Sequence, residues 1–149
     1  MRIKHSLMVK SLARQRTVIL FFSVLIIVPL GLLTKTYHGP GRIWVNYSLG
    51  GVFYEIFFCL IVAIIFPAAR PWKIAGWVFL ITAVLELLQL YHPPWLTVLR
   101  TFWLGHLLLG NSFSVWDFPH YLLGCLLGGS GIYVINRIFK SEKYLKNSN

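Results

Sequence analysis

The chain has 149 residues, of which 57% are hydrophobic and only 12% charged, and its mean hydropathy is +0.70. Soluble domains carry about 25% charged residues, so these values exclude a soluble module and place the chain in the membrane class. The net charge of +10 does not signal nucleic-acid binding, because the basic residues lie at the chain ends and between apolar runs, where they act as topology signals.

Residues 1–16 carry Arg2, Lys4, Lys10, Arg14 and Arg16 without an acid, and place Ile3, Leu7, Met8 and Leu12 at helical spacings. This pattern predicts a short basic interfacial helix on an anionic leaflet. The apolar run over residues 17–34 is too long for a signal-peptide core and no small-x-small cleavage site follows it, so it reads as a retained first span. Pro29 and Gly31 kink or thin its far end. Tyr37, His38, Gly39, Pro40, Gly41, Arg42, Trp44 and Tyr47 then form a turn-rich, aromatic interfacial loop. A second span is expected over residues 52–66, a tight loop with Arg70 and Lys73 over 68–73, and a third span over 74–91.

Beyond the His92-Pro93-Pro94 hinge, the run from Trp95 to Leu109 is apolar but only about fifteen residues long, short of the roughly 20 that a spanning helix needs. It reads as a re-entrant or interfacial half-helix, broken at Gly110, Asn111 and Ser112. The last span runs over residues 117–139, and 140–149 form a polar tail. The expected fold is an all-α integral membrane protein of four transmembrane helices, with the half-helix between the third and fourth. Its organisation is a basic segment (1–16), a transmembrane domain (17–139) and a tail (140–149). Eleven of the fourteen lysines and arginines then fall on one side, which puts both termini in the cytoplasm.

This topology gathers Glu55, Glu86 and Asp117 in the outer half of the bilayer, on the same side as Arg42 and Arg100. Ionisable residues at membrane depth are costly and call for partners. Glu86 and Gln89 share a helix face. A half-helix folded back at the prolines aims Arg100 at Glu86 for a bidentate ion pair, and Asp117 and His120 complete the network. Glu86, Gln89, Arg100, Asp117 and His120 are therefore the candidate binding residues. The pair either pins the half-helix or forms a ligand site.

Asp117 also fits a Ser114-x-x-Asp117 capping box or an N-cap, and Glu55 reads as an acid favoured at a helix start. His92, His106 and His120 lack metal-ligand spacing, and Cys59 and Cys125 behave as small hydrophobes. No cofactor, metal or catalytic group is indicated. Gly124-x-x-x-Gly128 allows close approach of another helix, expected to be the third or the first, and could also serve a homo-oligomer. The tryptophans, among them Trp72, Trp95, Trp103 and Trp116, read as belt anchors.

Glu86-x-x-Gln89, Arg100, and Asp117 followed seven residues on by Gly124, in a chain of four hydrophobic segments, resemble the VanZ-like family of small bacterial membrane proteins. The likeness is to a related branch known only as a domain of unknown function. It implies a multi-pass protein of the bacterial inner membrane, with Glu86, Gln89, Arg100 and Asp117 in a polar cluster and no established reaction. The chain departs from the founding pattern in a long insertion between Arg100 and Asp117 and in lacking an asparagine shortly after the aspartate. The founding member's association with glycopeptide resistance therefore does not carry over. The expected role is a non-enzymatic cell-envelope accessory protein that binds a lipid or lipid-linked molecule at the outer-leaflet cluster. The alternatives are a membrane enzyme using Asp117 or Glu86 as base and His120 as acid, or an oligomeric proton-coupled transporter.

Overall fold

The computed structural model describes residues 2–91, 93–102, 105 and 113–145. Among them the chain forms α1 (Arg2–Lys35), α2 (Arg42–Trp44), a π-helical turn (Val45–Leu49), α3 (Gly50–Ile65), α4 (Pro71–Leu88), α5 (Pro94–Thr101) and α6 (Asp117–Leu145). Three helical stretches, Ser11–Lys35, Pro71–Leu88 and Asp117–Ser141, are long and apolar enough to cross a membrane, and Gly50–Ile65 is a shorter apolar helix.

The expected separation of a basic interfacial helix from the first span does not occur. α1 runs unbroken from Arg2 to Lys35, because Leu12, Ala13, Arg14, Gln15 and Arg16 are all strong helix formers and none can stop a helix. α4 starts earlier than expected because Pro71 occupies its first turn, where a proline's fixed φ and missing N–H cost nothing. α2 opens on Gly41, whose φ of 71° is left-handed, a conformation that glycine alone adopts freely. Lys35 Nζ donates to the Asn46 carbonyl at 3.0 Å and so ties the end of α1 to the π turn.

α3 and α6 form the central pair, with α1 packed mainly on α3 and α4 mainly on α6. Leu20, Val24, Cys59, Leu60, Ala63, Ile74, Ala75, Val78, Cys125 and Ile132 make the apolar centre. The close contact is set by glycines. A Cβ on Gly124 would stand 2.6 Å from both Glu55 Cβ and the Val52 carbonyl oxygen, and one on Gly128 2.8 Å from Cys59 Cβ. The Gly124-x-x-x-Gly128 face therefore meets α3, the second apolar helix, rather than the third or the first. Gly129, one residue on, meets Ala75 and Trp72 of α4.

Phe21, Phe22, Leu25, Ile26, Trp77, Leu80, Ile81, Leu122, Leu123, Leu126 and Leu127 all point outward, while Arg16, Thr34, Glu55, Thr82, Glu86, Gln89 and Arg100 are buried. Apolar outside and polar inside is the arrangement that a hydrocarbon solvent demands. α5, with eight residues, is about 12 Å long and cannot cross a bilayer. It also ends earlier than the expected run to Leu109, since Phe102 is extended with ψ of 140°; Trp103, His106 and the Gly110-Asn111-Ser112 break lie outside the described residues, as does His92.

Candidate functional site

Glu86 sits in the last turn of α4 with 1% of its surface exposed. Its carboxylate accepts three hydrogen bonds. Gln89 Nε2 donates to Oε2 at 2.9 Å, the Tyr121 hydroxyl donates to Oε2 at 3.0 Å, and the Ser114 backbone N–H donates to Oε1 at 2.8 Å. The expected pairing of Glu86 with Gln89 is present, since three residues along a helix place both on one face. Tyr121 arrives from α6 and Ser114 from the segment before it, so one carboxylate joins the end of α4 to the start of α6.

Arg100 does fold back onto α4, but not onto Glu86. Its guanidinium donates to the Leu88 carbonyl at 2.9 Å and to the Tyr91 carbonyl at 3.5 Å, and among the described residues no ion pair joins it to Glu86. The last carbonyls of a helix lack partners within the helix and carry the negative end of its dipole. A cation returning after a short hinge meets them first. Arg100 is thus a C-terminal cap for α4, 7% exposed, with its Nε unpartnered among the described residues.

His120 is engaged at both ring nitrogens. Trp44 Nε1 donates to His120 Nε2 at 3.2 Å, so Nε2 is the acceptor and the proton resides on Nδ1, which donates to the Trp116 carbonyl at 2.6 Å. The ring ties α2 to α6. Asp117 is the first residue of α6 and its backbone N–H donates to the Ser114 carbonyl at 3.1 Å. A carboxylate there is favoured by the helix dipole. Its side chain lines an open groove of about 710 Å³ together with Arg42, Trp44, Ser48, Ser114 and Trp116. Behind this wall, the Ser114 N–H reaches Glu86.

Three residues of consequence escape the sequence reading. Glu55, placed there at the interface, is fully buried; Cys125 Sγ donates to its Oε2 at 3.0 Å, and its Oε1 has no partner among the described residues. Arg16, counted there as a topology signal, is 8% exposed; its Nε donates to Asn136 Oδ1 at 2.6 Å and its Nη1 to the Ala63 carbonyl at 3.3 Å. The signal for both is helical spacing. Leu12, Arg16, Leu20 and Val24 recur every fourth residue along α1, and Val52, Glu55 and Cys59 fall on one face of α3. Tyr121, four residues after Asp117, is the third, and only the pairing of α4 with α6 reveals its role.

The model of a family described as proteins of unknown function (DUF2809) matches residues 41–125, and the chain belongs to that family. The matched stretch holds Arg42, Glu55, Glu86, Arg100, Asp117 and Tyr121. No curated protein and no solved structure matches the chain.

Proposed function

We propose that this family member is a four-span protein of the bacterial inner membrane that holds the polar head of a lipid or lipid-linked molecule in the groove between Arg42 and Asp117. The observation that carries this reading is a division of labour. Glu86, Gln89, Arg100 and His120 are engaged by the protein's own groups, whereas Arg42 and Asp117 both line the open groove. A guanidinium grips phosphate or carboxylate through two parallel hydrogen bonds. A carboxylate opposite it accepts from an amine or hydroxyl. Trp44 and Trp116, both exposed, supply the amphipathic rings that sit at headgroup depth.

The fourth span is α3. α2, the π turn and α3 follow one another without a break from Arg42 to Ile65, a helical run of about 36 Å at 1.5 Å per residue, enough to cross about 30 Å of hydrocarbon. The basic-residue count then supports cytoplasmic termini and an outward-facing groove. Kinship with the VanZ-like proteins of the cell envelope belongs to this proposal and rests on Glu86, Gln89, Arg100, Asp117 and Gly124. The enzymatic alternative is disfavoured because both nitrogens of its proposed acid, His120, are occupied.

Native mass spectrometry of purified Arg42→Gln, Asp117→Asn and Arg100→Gln variants tests the proposal. Loss of a co-purifying amphiphile in the first two but not the third is the expected result. Unchanged lipid content in Arg42→Gln overturns it.

A further inference from the structure

A second groove, of about 260 Å³, lies between α1 and α3 and shares no lining residue with the first. Ile27, Val28 and Leu32 form one wall, and Phe53 and Phe57 the other. Gly31 lets the walls approach, since a Cβ there would stand 3.2 Å from Phe53 Cβ. From Ile27 to Lys35 the groove follows about 12 Å of helix axis, most of the depth of one leaflet of a bilayer core about 30 Å thick. Water has no partners along these apolar walls, and an empty slot forfeits the dispersion contacts of its lining. Hydrocarbon is its natural filling.

Lys35 makes this more than a gap between helices. Among the residues lining the slot it is the one that carries a charge, and it stands at the slot's end as the last residue of α1. Its ammonium has three donors. One is spent on the Asn46 carbonyl at 3.0 Å, which fixes the nitrogen at the rim and leaves two for a ligand. The slot thus presents hydrocarbon walls below and a tethered cation above.

We propose that this slot is a binding site for an anionic phospholipid, one acyl chain lying between α1 and α3 and the phosphate held by Lys35. The site shares no lining residue with the Arg42–Asp117 groove, although the Lys35 ammonium lies within electrostatic reach of the Asp117 carboxylate, and it goes beyond the function proposed for that groove. Occupancy there would also cover the part of Phe53 and Phe57 that α1 and α3 leave exposed.

The test uses the full chain in phosphatidylcholine nanodiscs doped with phosphatidylglycerol bearing a photoreactive diazirine in one acyl chain, with crosslinks mapped by peptide mass spectrometry. Labelling should concentrate on residues 27–32 and 53–58. It should fall about five-fold in Lys35→Gln, the factor that one lysine beside an anionic headgroup supplies, and persist in Lys35→Arg. The same diazirine on phosphatidylcholine should label the slot several-fold less. Leu32→Trp, at a position 62% exposed, fills the slot without entering the packed interior and should remove labelling at Phe53 and Phe57 while helicity is kept. Labelling no denser than on the outward face of α6, equal labelling by the two lipids, or no effect of Lys35→Gln overturns the proposal. Arg42→Gln should leave slot labelling unchanged, so failure of the headgroup groove and failure of this site are read separately.

Discussion

Replacing Glu86 by alanine tests whether one carboxylate joins α4 to α6. Three donors lose their acceptor at once: Gln89 Nε2, the Tyr121 hydroxyl and the Ser114 N–H. Hydrogen bonds inside transmembrane bundles average about 0.6 kcal/mol and reach about 1.7 kcal/mol, so three bonds come to roughly 2–5 kcal/mol. The upper part of that range is expected because the Ser114 donor belongs to the backbone and cannot turn away, and a buried unpaired donor costs about 1–3 kcal/mol. Tyr121→Phe removes one donor and leaves the acceptor two, for about 0.6–1.7 kcal/mol. Glu86→Gln keeps one acceptor oxygen but presents an amide N–H to a donor, and should fall between the two. Unfolding in mixed micelles, followed by helical circular dichroism, measures all three. A Glu86→Ala variant within about 0.5 kcal/mol of the parent, or a Tyr121→Phe cost equal to that of Glu86→Ala, refutes the argument.

Gly124→Ala forces a Cβ to within 2.6 Å of Glu55 Cβ and should destabilise by about 1–3 kcal/mol in the same assay, whereas Gly131→Ala, which meets nothing within 4 Å, should be neutral or stabilising by up to about 1 kcal/mol. Asn136→Ala should cost more than Arg16→Met, about 1.5–3 kcal/mol against less than about 1, because only the former leaves the Nε of a buried guanidinium without its acceptor; the double variant should match Arg16→Met alone, and a strictly additive double-mutant cycle would count against the pairing. Arg100→Gln should raise amide hydrogen exchange over residues 94–101 and at Tyr91 while exchange in α6 stays as in the parent, since Arg100 holds α5 through the carbonyls of Leu88 and Tyr91.

Much of the helix layout was legible because it follows from apolar run length and from proline and glycine positions. The hinge at Pro93 and Pro94 and the short α5 after it are examples, as is the placing of Glu86 with Gln89. What the sequence could not show was which acceptor a cation would choose. Arg100 was expected to neutralise Glu86, but the carbonyls ending α4 are nearer to a chain that has just turned back, and Glu86 already has neutral donors from Gln89, Tyr121 and Ser114. The Gly124 face similarly declares a close contact without declaring its partner, because the pairing of α6 with α3 depends on three-dimensional order rather than on any local signal. Glu55 and Arg16 were misplaced for a different reason. Helical spacing, not closeness to the membrane boundary, decides which way a side chain faces, and it puts both on inward faces.

The buried polar groups serve two ends of the bundle in the same way. Arg16 bonds to the Ala63 carbonyl near the end of α3, and Arg100 to the Leu88 carbonyl at the end of α4. Both cations occupy helix C-termini, where the dipole favours them. Neither needs a buried carboxylate, which leaves Glu86 to bind neutral donors and Glu55 to meet Cys125. Arg42 and Asp117 stand apart from these bonds and line the open groove. Variants at Arg16, Glu86 and Arg100 should therefore act on stability, and variants at Arg42 and Asp117 on what the groove holds.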